Sequence, residues 1–147
     1  TFHATLLTGY VAAALKHRVP RLLLRLDEAQ LRARGNDAET AAFFARTLDM
    51  LEGQGVPMLD HLVGMPLDKP DERFERVRAE LDALPAGVSY FIIHPSHGTP
   101  EAQAMGPDWR ARVRDHELFM DERVRAHIKH SGLHVIGWRE LREVMRA

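Results

Sequence analysis

The sequence has no cysteine among its 147 residues, which excludes disulfides, thiolate-held zinc and a cysteine nucleophile in one step. Neither charge is in excess. Twenty Lys and Arg against 21 Asp and Glu leave a formal net charge of −1, so no global field favours DNA, RNA or an acidic membrane surface. Apolar runs such as Val11 to Leu15 fall far short of the ~20 residues a membrane span needs. The first residues lack the basic, apolar, small-residue pattern of a signal peptide, and a soluble, cytoplasmic protein is the expectation. The patterns G-x-G-x-x-G, G-x-x-x-x-G-K-[ST] and G-x-S-x-G are all missing, which leaves phosphate loops and the hydrolase nucleophile elbow without support.

What remains is 45% hydrophobic and 28% charged, the composition of one ordinary globular domain. The cations are mostly Arg and are interleaved with acids, as in DERFERVRAELD at 71–82, which reads as a solvated helix face. With nine His, any metal or proton-transfer chemistry falls to imidazole. The sequence begins Thr-Phe-His without Met and runs almost at once into an apolar-periodic segment. It has therefore either lost an initiator Met or is the downstream part of a longer polypeptide.

Apolar spacing predicts a helix from Thr5 to His17, stopped by Pro20, and a short strand over Arg21–Leu26. A helix capped by Asp27 and a longer one capped by Asn36 or Asp37, ending at Gly53-Gln54-Gly55, come next. Met58–Val63 is a second strand, Asp68–Leu84 a helix with Pro70 in its first turn, and Val88–His94 the clearest strand, closed by Pro95. Helices over Asp108–Phe119 and Asp121–Ser131, a last strand in LHVIGW (133–138) and a closing helix over Arg139–Ala147 complete the pattern. Strands separated by helices call for crossovers and parallel pairing, an α/β architecture. Four such strands fit a small open sheet or one half of a (β/α) barrel.

Ligands in parallel α/β folds bind at the carboxyl ends of strands, which directs attention to Arg25, Asp60-His61, the segment His94-Pro95-Ser96-His97-Gly98-Thr99 and Trp138-Arg139. His94 ends an apolar strand and is followed by Pro95. Imidazoles titrate near neutrality, so a His there suits a general acid, a general base or a metal ligand. The plainer alternative is a half-buried His bonded to a loop carbonyl. His97 forms an H-x-x-H pair with His94, a spacing without fixed geometry across a Pro turn. Asp60 is either a site carboxylate or a turn former. His127 and His130 read as a solvated face.

The block YFIIHPSHGTPEAQAMGPDWRARVRDHELF (90–119), with its strand-end His-Pro, Thr-Pro-Glu and Trp109, Arg112, Asp115, followed by LHVIGWREL, resembles the C-terminal half of the YdjC-like carbohydrate deacetylase family. That family includes the chitooligosaccharide and hopanoid-precursor deacetylases. FHATLLTGYVAAALKHRVPRLLLR (2–25) resembles the family's helix after its Asp-Ser-His motif and the strand ending in Arg. The resemblance implies alternating parallel β/α units forming part of a distorted (β/α) barrel of about twice this size. It also implies hydrolysis of an N-acetyl group from an amino sugar or oligosaccharide with a divalent metal, zinc or magnesium. The family's Asp-Asp and Asp-Ser-His motifs are absent here, which places most metal ligands upstream and makes these 147 residues the expected C-terminal half of a larger deacetylase.

His94 matches the His-Pro position and is the candidate acid for the departing amine, while Arg25 matches the strand-end Arg as electrostatic partner or substrate anchor. His3, Asp60, His97 and Trp109 are the expected substrate-binding residues, and no metal ligand is assigned within this sequence. The alternative is a non-catalytic α/β module for sugar binding or self-association. Exposed sheet edges lead to the expectation of a homo-oligomer or of pairing with a missing N-terminal segment, with no nucleic acid and no membrane span.

Overall fold

The computed structural model describes residues 4–147 and is mixed α/β, 58% helical. It divides into two compact units. One comprises the residues up to Asp60 together with Ile136–Ala147, and the other is His61–Val135. Among the described residues no helix is long and apolar enough to cross a membrane.

In the first unit, α1 (Ala4–His17) ends where Arg18 adopts a left-handed conformation with φ 48°. The Val19 N–H then bonds back to the Ala14 carbonyl at 3.0 Å, so α1 terminates by a backbone turn one step ahead of Pro20. Helix α2 (Glu28–Ala33) opens on a reciprocal cap. The Asp27 carboxylate accepts the Gln30 N–H, and the Gln30 side chain accepts the Asp27 N–H, satisfying two otherwise orphaned donors. Asp37 caps α3 (Ala38–Gly53) by accepting the Thr40 N–H. Gly55, at φ 82°, reverses the backbone after α3, a conformation that costs a residue with a Cβ more than glycine. Leu51, Val56 and Met58 are buried, packed by Val11, Leu15, Leu23 and Leu48 and by Met145 from α8 (Trp138–Arg146).

The expected strand over Arg21–Leu26 is reduced to one parallel bridge, Leu24 to Leu59. Two backbone bonds hold it: Arg25 N–H to Leu59 O at 2.8 Å and Leu59 N–H to Leu23 O at 2.7 Å. The direction of pairing is the expected one; the length is not. The Leu triplet carries weak strand propensity, and Leu22 and Val19 remain exposed.

In the second unit, β1 (His61–Gly64) and β2 (Ser89–Ile92) pair in parallel, with His61 opposite Ser89 and Gly64 opposite Ile92. Their connection runs through a 3₁₀ turn at Pro70–Glu72 and α4 (Arg73–Asp82). The helix expected from Asp68 thus begins later, because Pro70 seeds a tighter turn first. Helices α5 (Pro100–Met105), α6 (Trp109–Met120) and α7 (Glu122–His130) follow. Met65, Val77, Leu81, Leu118 and Val124 form the core, packed by Phe74, Leu84, Phe91, Phe119, Ile128 and Leu133. Full burial of each such side chain is worth roughly 1.5–3 kcal/mol.

The strand expected in 133–138 is not formed. Residues 133–137 join no strand pair, and Val135 is 80% exposed, so the apolar pattern has no sheet edge to satisfy it. Helix α5 is an addition to the expected elements, although Thr99 capping the Ala102 N–H ahead of Pro100 and Glu101 is a regular start signal.

Candidate functional site

In the second unit the segment leaving β2 lies along α6. The His94 N–H donates to Asp115 Oδ2 at 2.9 Å, and the Ser96 N–H donates to the Arg112 carbonyl at 3.1 Å. The His97 ring sits 4.3 Å from that of His116, centroid to centroid. Asp115 belongs to the buried face of α6 with Ala111 and Leu118. It is itself held by Arg73, whose Nε donates to Asp115 Oδ1 at 2.8 Å and whose Nη2 donates to the same oxygen. Arg73 Nη1 donates to the Pro66 carbonyl at 2.7 Å and to that of Asp68 at 3.3 Å. Arg73 and Asp115 side chains are 1% and 0% exposed. One buried ion pair thus ties the loop after β1, the first residue of α4, the middle of α6 and the carboxyl end of β2. Buried charges are tolerated when paired and fully hydrogen-bonded, and here both carboxylate oxygens are used.

His94 is half-buried, and its Nδ1 is buried with no hydrogen-bond partner among the described residues. The plainer expectation, a ring nitrogen bonded to a loop carbonyl, is therefore not met at Nδ1. Nearby, the Arg112 guanidinium bonded to Asp108 at 2.9 Å holds the Asp108 carboxyl below its usual range, with a smaller contribution from His94. Asp108 does not cap α6 with its side chain; its carboxylate faces Arg112 instead.

Trp109 lies elsewhere on α6. With Arg110, Val113, Arg114 and Glu117 it lines a cleft of about 340 Å³ bounded by Pro70 and Asp71. The expectation of a solvated face over 71–82 is corrected at its key position: Arg73 is buried, on the same stripe as Val77 and Leu81. His127 also departs from a solvated reading, since its Nε2 lies 2.8 Å from Asp82 Oδ1 and its side chain is 20% exposed.

In the first unit the Leu24–Leu59 bridge sets Arg25 and Asp60 side by side. Arg25 Nη1 donates to Asp60 Oδ1, and Arg25 Nε donates to Glu52 at 3.1 and 3.2 Å, with Nη2 also on Glu52. The three side chains are half to one-quarter exposed. The Glu52 carboxylate keeps Arg25 firmly protonated, and Arg25 in turn holds the Glu52 carboxyl below its ordinary range. Arg25 cannot donate a proton at working pH, so its role is positional and electrostatic.

The structure thus brings together Arg25 and Asp60 in one unit and His94 and His97 on one loop of the other. His61, Asp60's sequence neighbour, is engaged apart from it, with Nε2 3.1 Å from the Ala86 carbonyl. His3 lies outside the described residues. Sequence reasoning missed Glu52 and Arg73. Nothing marks Glu52, in the last turn of α3. Arg73 could have been found, because a charge at i on the stripe i, i+4, i+8 shared with Val77 and Leu81 is a buried-charge signal.

Among the described residues there is no group of three or more His, Asp or Glu side chains that could hold a metal ion. No protein-family model and no curated protein matches the chain.

Proposed function

We propose that the protein hydrolyses the N-acetyl amide of an amino sugar or oligosaccharide, as part of a distorted (β/α) barrel resembling the YdjC-like deacetylases. In this reading His94 protonates the departing amine. The observation that supports it is the way His94 is held at the carboxyl end of β2: its backbone N–H is fixed by Asp115, which is fixed by Arg73, so the imidazole is carried on an anchored segment, as proton transfer at a set position requires. In the reaction the amide C–N bond breaks, water oxygen adds to the acyl carbon, and a proton passes to the sugar nitrogen, giving acetate and a free amine.

The family that the motifs resemble supplies zinc or magnesium for the water step. The described residues do not fit such an ion, so the role left to the second unit is proton donation by His94. In the first unit, the Arg25 guanidinium, oriented by Glu52 and Asp60, presents a fixed positive charge to a polar ligand group.

Free-amine release from N-acetylglucosamine oligomers by the protein together with any segment encoded ahead of Thr1, with zinc or magnesium supplied, tests the reading. His94→Ala is expected to lower kcat about 100-fold or more with little change in KM and an unchanged circular-dichroism spectrum. Turnover equal to that of the unsubstituted protein would remove His94 from the acid role. Absence of amine release by the unsubstituted protein would overturn the activity itself.

A further inference from the structure

We infer that His97, in the loop after β2, and His116, on α6, form a two-imidazole site for copper(II). Both belong to the second unit. Their ring centres lie 4.3 Å apart, with the ring planes inclined at 52°. Three other imidazoles are engaged elsewhere: His61 with the Ala86 carbonyl, His130 with the Ala126 carbonyl and His127 with Asp82. The rings of His97 and His116 meet each other instead.

Both residues are carried on fixed backbone. The Ser96 N–H donates to the Arg112 carbonyl at 3.1 Å, and the Gly98 carbonyl accepts from Gln103 Nε2 at 3.2 Å. Gly98 also lies close to α6, where a Cβ would come 3.5 Å from Val113 Cγ2. His97 thus sits between two residues held against α5 and α6. His116 follows Asp115, which is buried and gripped by Arg73. Ligands positioned before an ion arrives lower the ordering cost of binding it. Arg112, one helical turn before His116, is bonded to Asp108 at 2.9 Å, so its charge is offset locally rather than set against a cation.

The geometry selects the ion. With a metal–nitrogen bond of ~2.0–2.1 Å and a ring centre ~1.1 Å behind the nitrogen, two imidazole centres stand ~4.5 Å apart at a right angle and ~5.2 Å apart in a tetrahedron. The observed 4.3 Å is nearer the right-angle value, which is the angle of a tetragonal ion such as copper(II) or nickel(II). Imidazole suits both, and copper(II) heads the affinity order. Magnesium takes oxygen ligands, and catalytic zinc takes three protein ligands. Among the described residues no third His, Asp or Glu joins this pair, so this ion is not the one that amide hydrolysis needs. His97 is exposed and His116 half-buried, which leaves water to fill the remaining positions. The bound ion would staple the loop that carries His94 to α6.

The inference is independent of the deacetylase reading, and amine release does not enter its test. Copper(II) alone is titrated into the protein at neutral pH, followed by calorimetry and electron paramagnetic resonance. The unsubstituted protein is expected to bind one equivalent whose spectrum shows two nitrogen ligands. His97→Ala and His116→Gln are each expected to bind that equivalent at least about tenfold more weakly. His130→Gln, on α7, is expected to keep it. Nickel(II) is expected to bind the same site more weakly and magnesium to leave it empty. Thermal melts with copper(II) are expected to show a rise in Tm that both site substitutions reduce.

Uptake by His97→Ala equal to that of the unsubstituted protein would overturn the site. An equal loss in His130→Gln would mean an adventitious ion only and would overturn it as well. Because His97 is exposed on a loop, His97→Ala carries the comparison if His116→Gln does not fold.

Discussion

Two arginines, one in each unit, hold the end of a paired segment by ion pairs with acids, yet the two arrangements differ in kind. Arg73 and Asp115 are fully buried, and beyond their own pairing the bonds they make fix backbone: the carbonyls of Pro66 and Asp68 and the N–H of His94. Arg25, Glu52 and Asp60 are partly solvated, and their bonds run between side chains. The first arrangement is structural support beneath a candidate acid. The second is a surface charge cluster whose value lies in what it presents. The difference teaches that the same Arg–carboxylate pairing serves rigidity or recognition according to burial, because solvent screens the one and not the other.

The largest expected effect comes from breaking the buried pair. Arg73→Met leaves Asp115 charged and unpaired in the core, at a cost of about 3–5 kcal/mol, a fall in Tm on the order of 10 °C for a domain of this size. Replacing both partners, Arg73→Met with Asp115→Leu, is expected to recover much of that loss in the same thermal melt. A fall with Arg73→Met no greater than with Arg25→Ala would erase the contrast between the two networks.

Acidification sharpens the same comparison at intermediate scale. The Glu52 carboxyl is held low by its bonds to Arg25, and that of Asp108 by Arg112. A carboxylate depressed in the folded state adds stability above its unfolded value, near 4.5 for Glu and 3.8 for Asp. That contribution is lost as pH falls through the folded value. The urea midpoint is expected to stay level from neutrality down to about pH 5 and to decline below about pH 4. In the Arg25→Ala protein the decline loses its Glu52 component, and an unaltered acid limb would show that the pair contributes nothing.

The smallest expected effect on stability is that of Arg25→Ala itself. Its Tm at neutral pH should lie close to that of the unsubstituted protein, since exposed ion pairs contribute little, while amine release falls if Arg25 anchors substrate. Unchanged turnover would reduce the cluster to surface decoration.

Much of the chain was legible as local signals. Asp27 with Gln30, Asp37 with Thr40 and Asp121 with Arg123 cap helices where the sequence places them, because capping is settled within a few residues. Val77 and Leu81 bury as their spacing requires. The strands at 21–26 and 133–138 were less legible. Strand formation needs a partner supplied from elsewhere in the chain, and a short apolar run does not say whether one arrives.

Among the candidate residues, His94 and Arg25 stood out from their positions at the ends of apolar segments. Their supports did not. Glu52 meets Arg25 across 27 residues and Asp115 meets Arg73 across 42, separations that no local pattern spans.

By itself, then, the sequence determined most of the helices, the caps at Asp27, Asp37 and Asp121, the parallel sense of the pairing and the candidacy of His94, since each depends on periodicity, on capping chemistry or on a strand closed by proline. Only the tertiary structure decided which charges are buried. An Arg in an alternating charge run looks solvated until α4 and α6 pack, and only then does its carboxylate partner become the group that fixes the backbone of His94. Burial is a property of what lies on the other side of a side chain, and that neighbour is chosen by the fold.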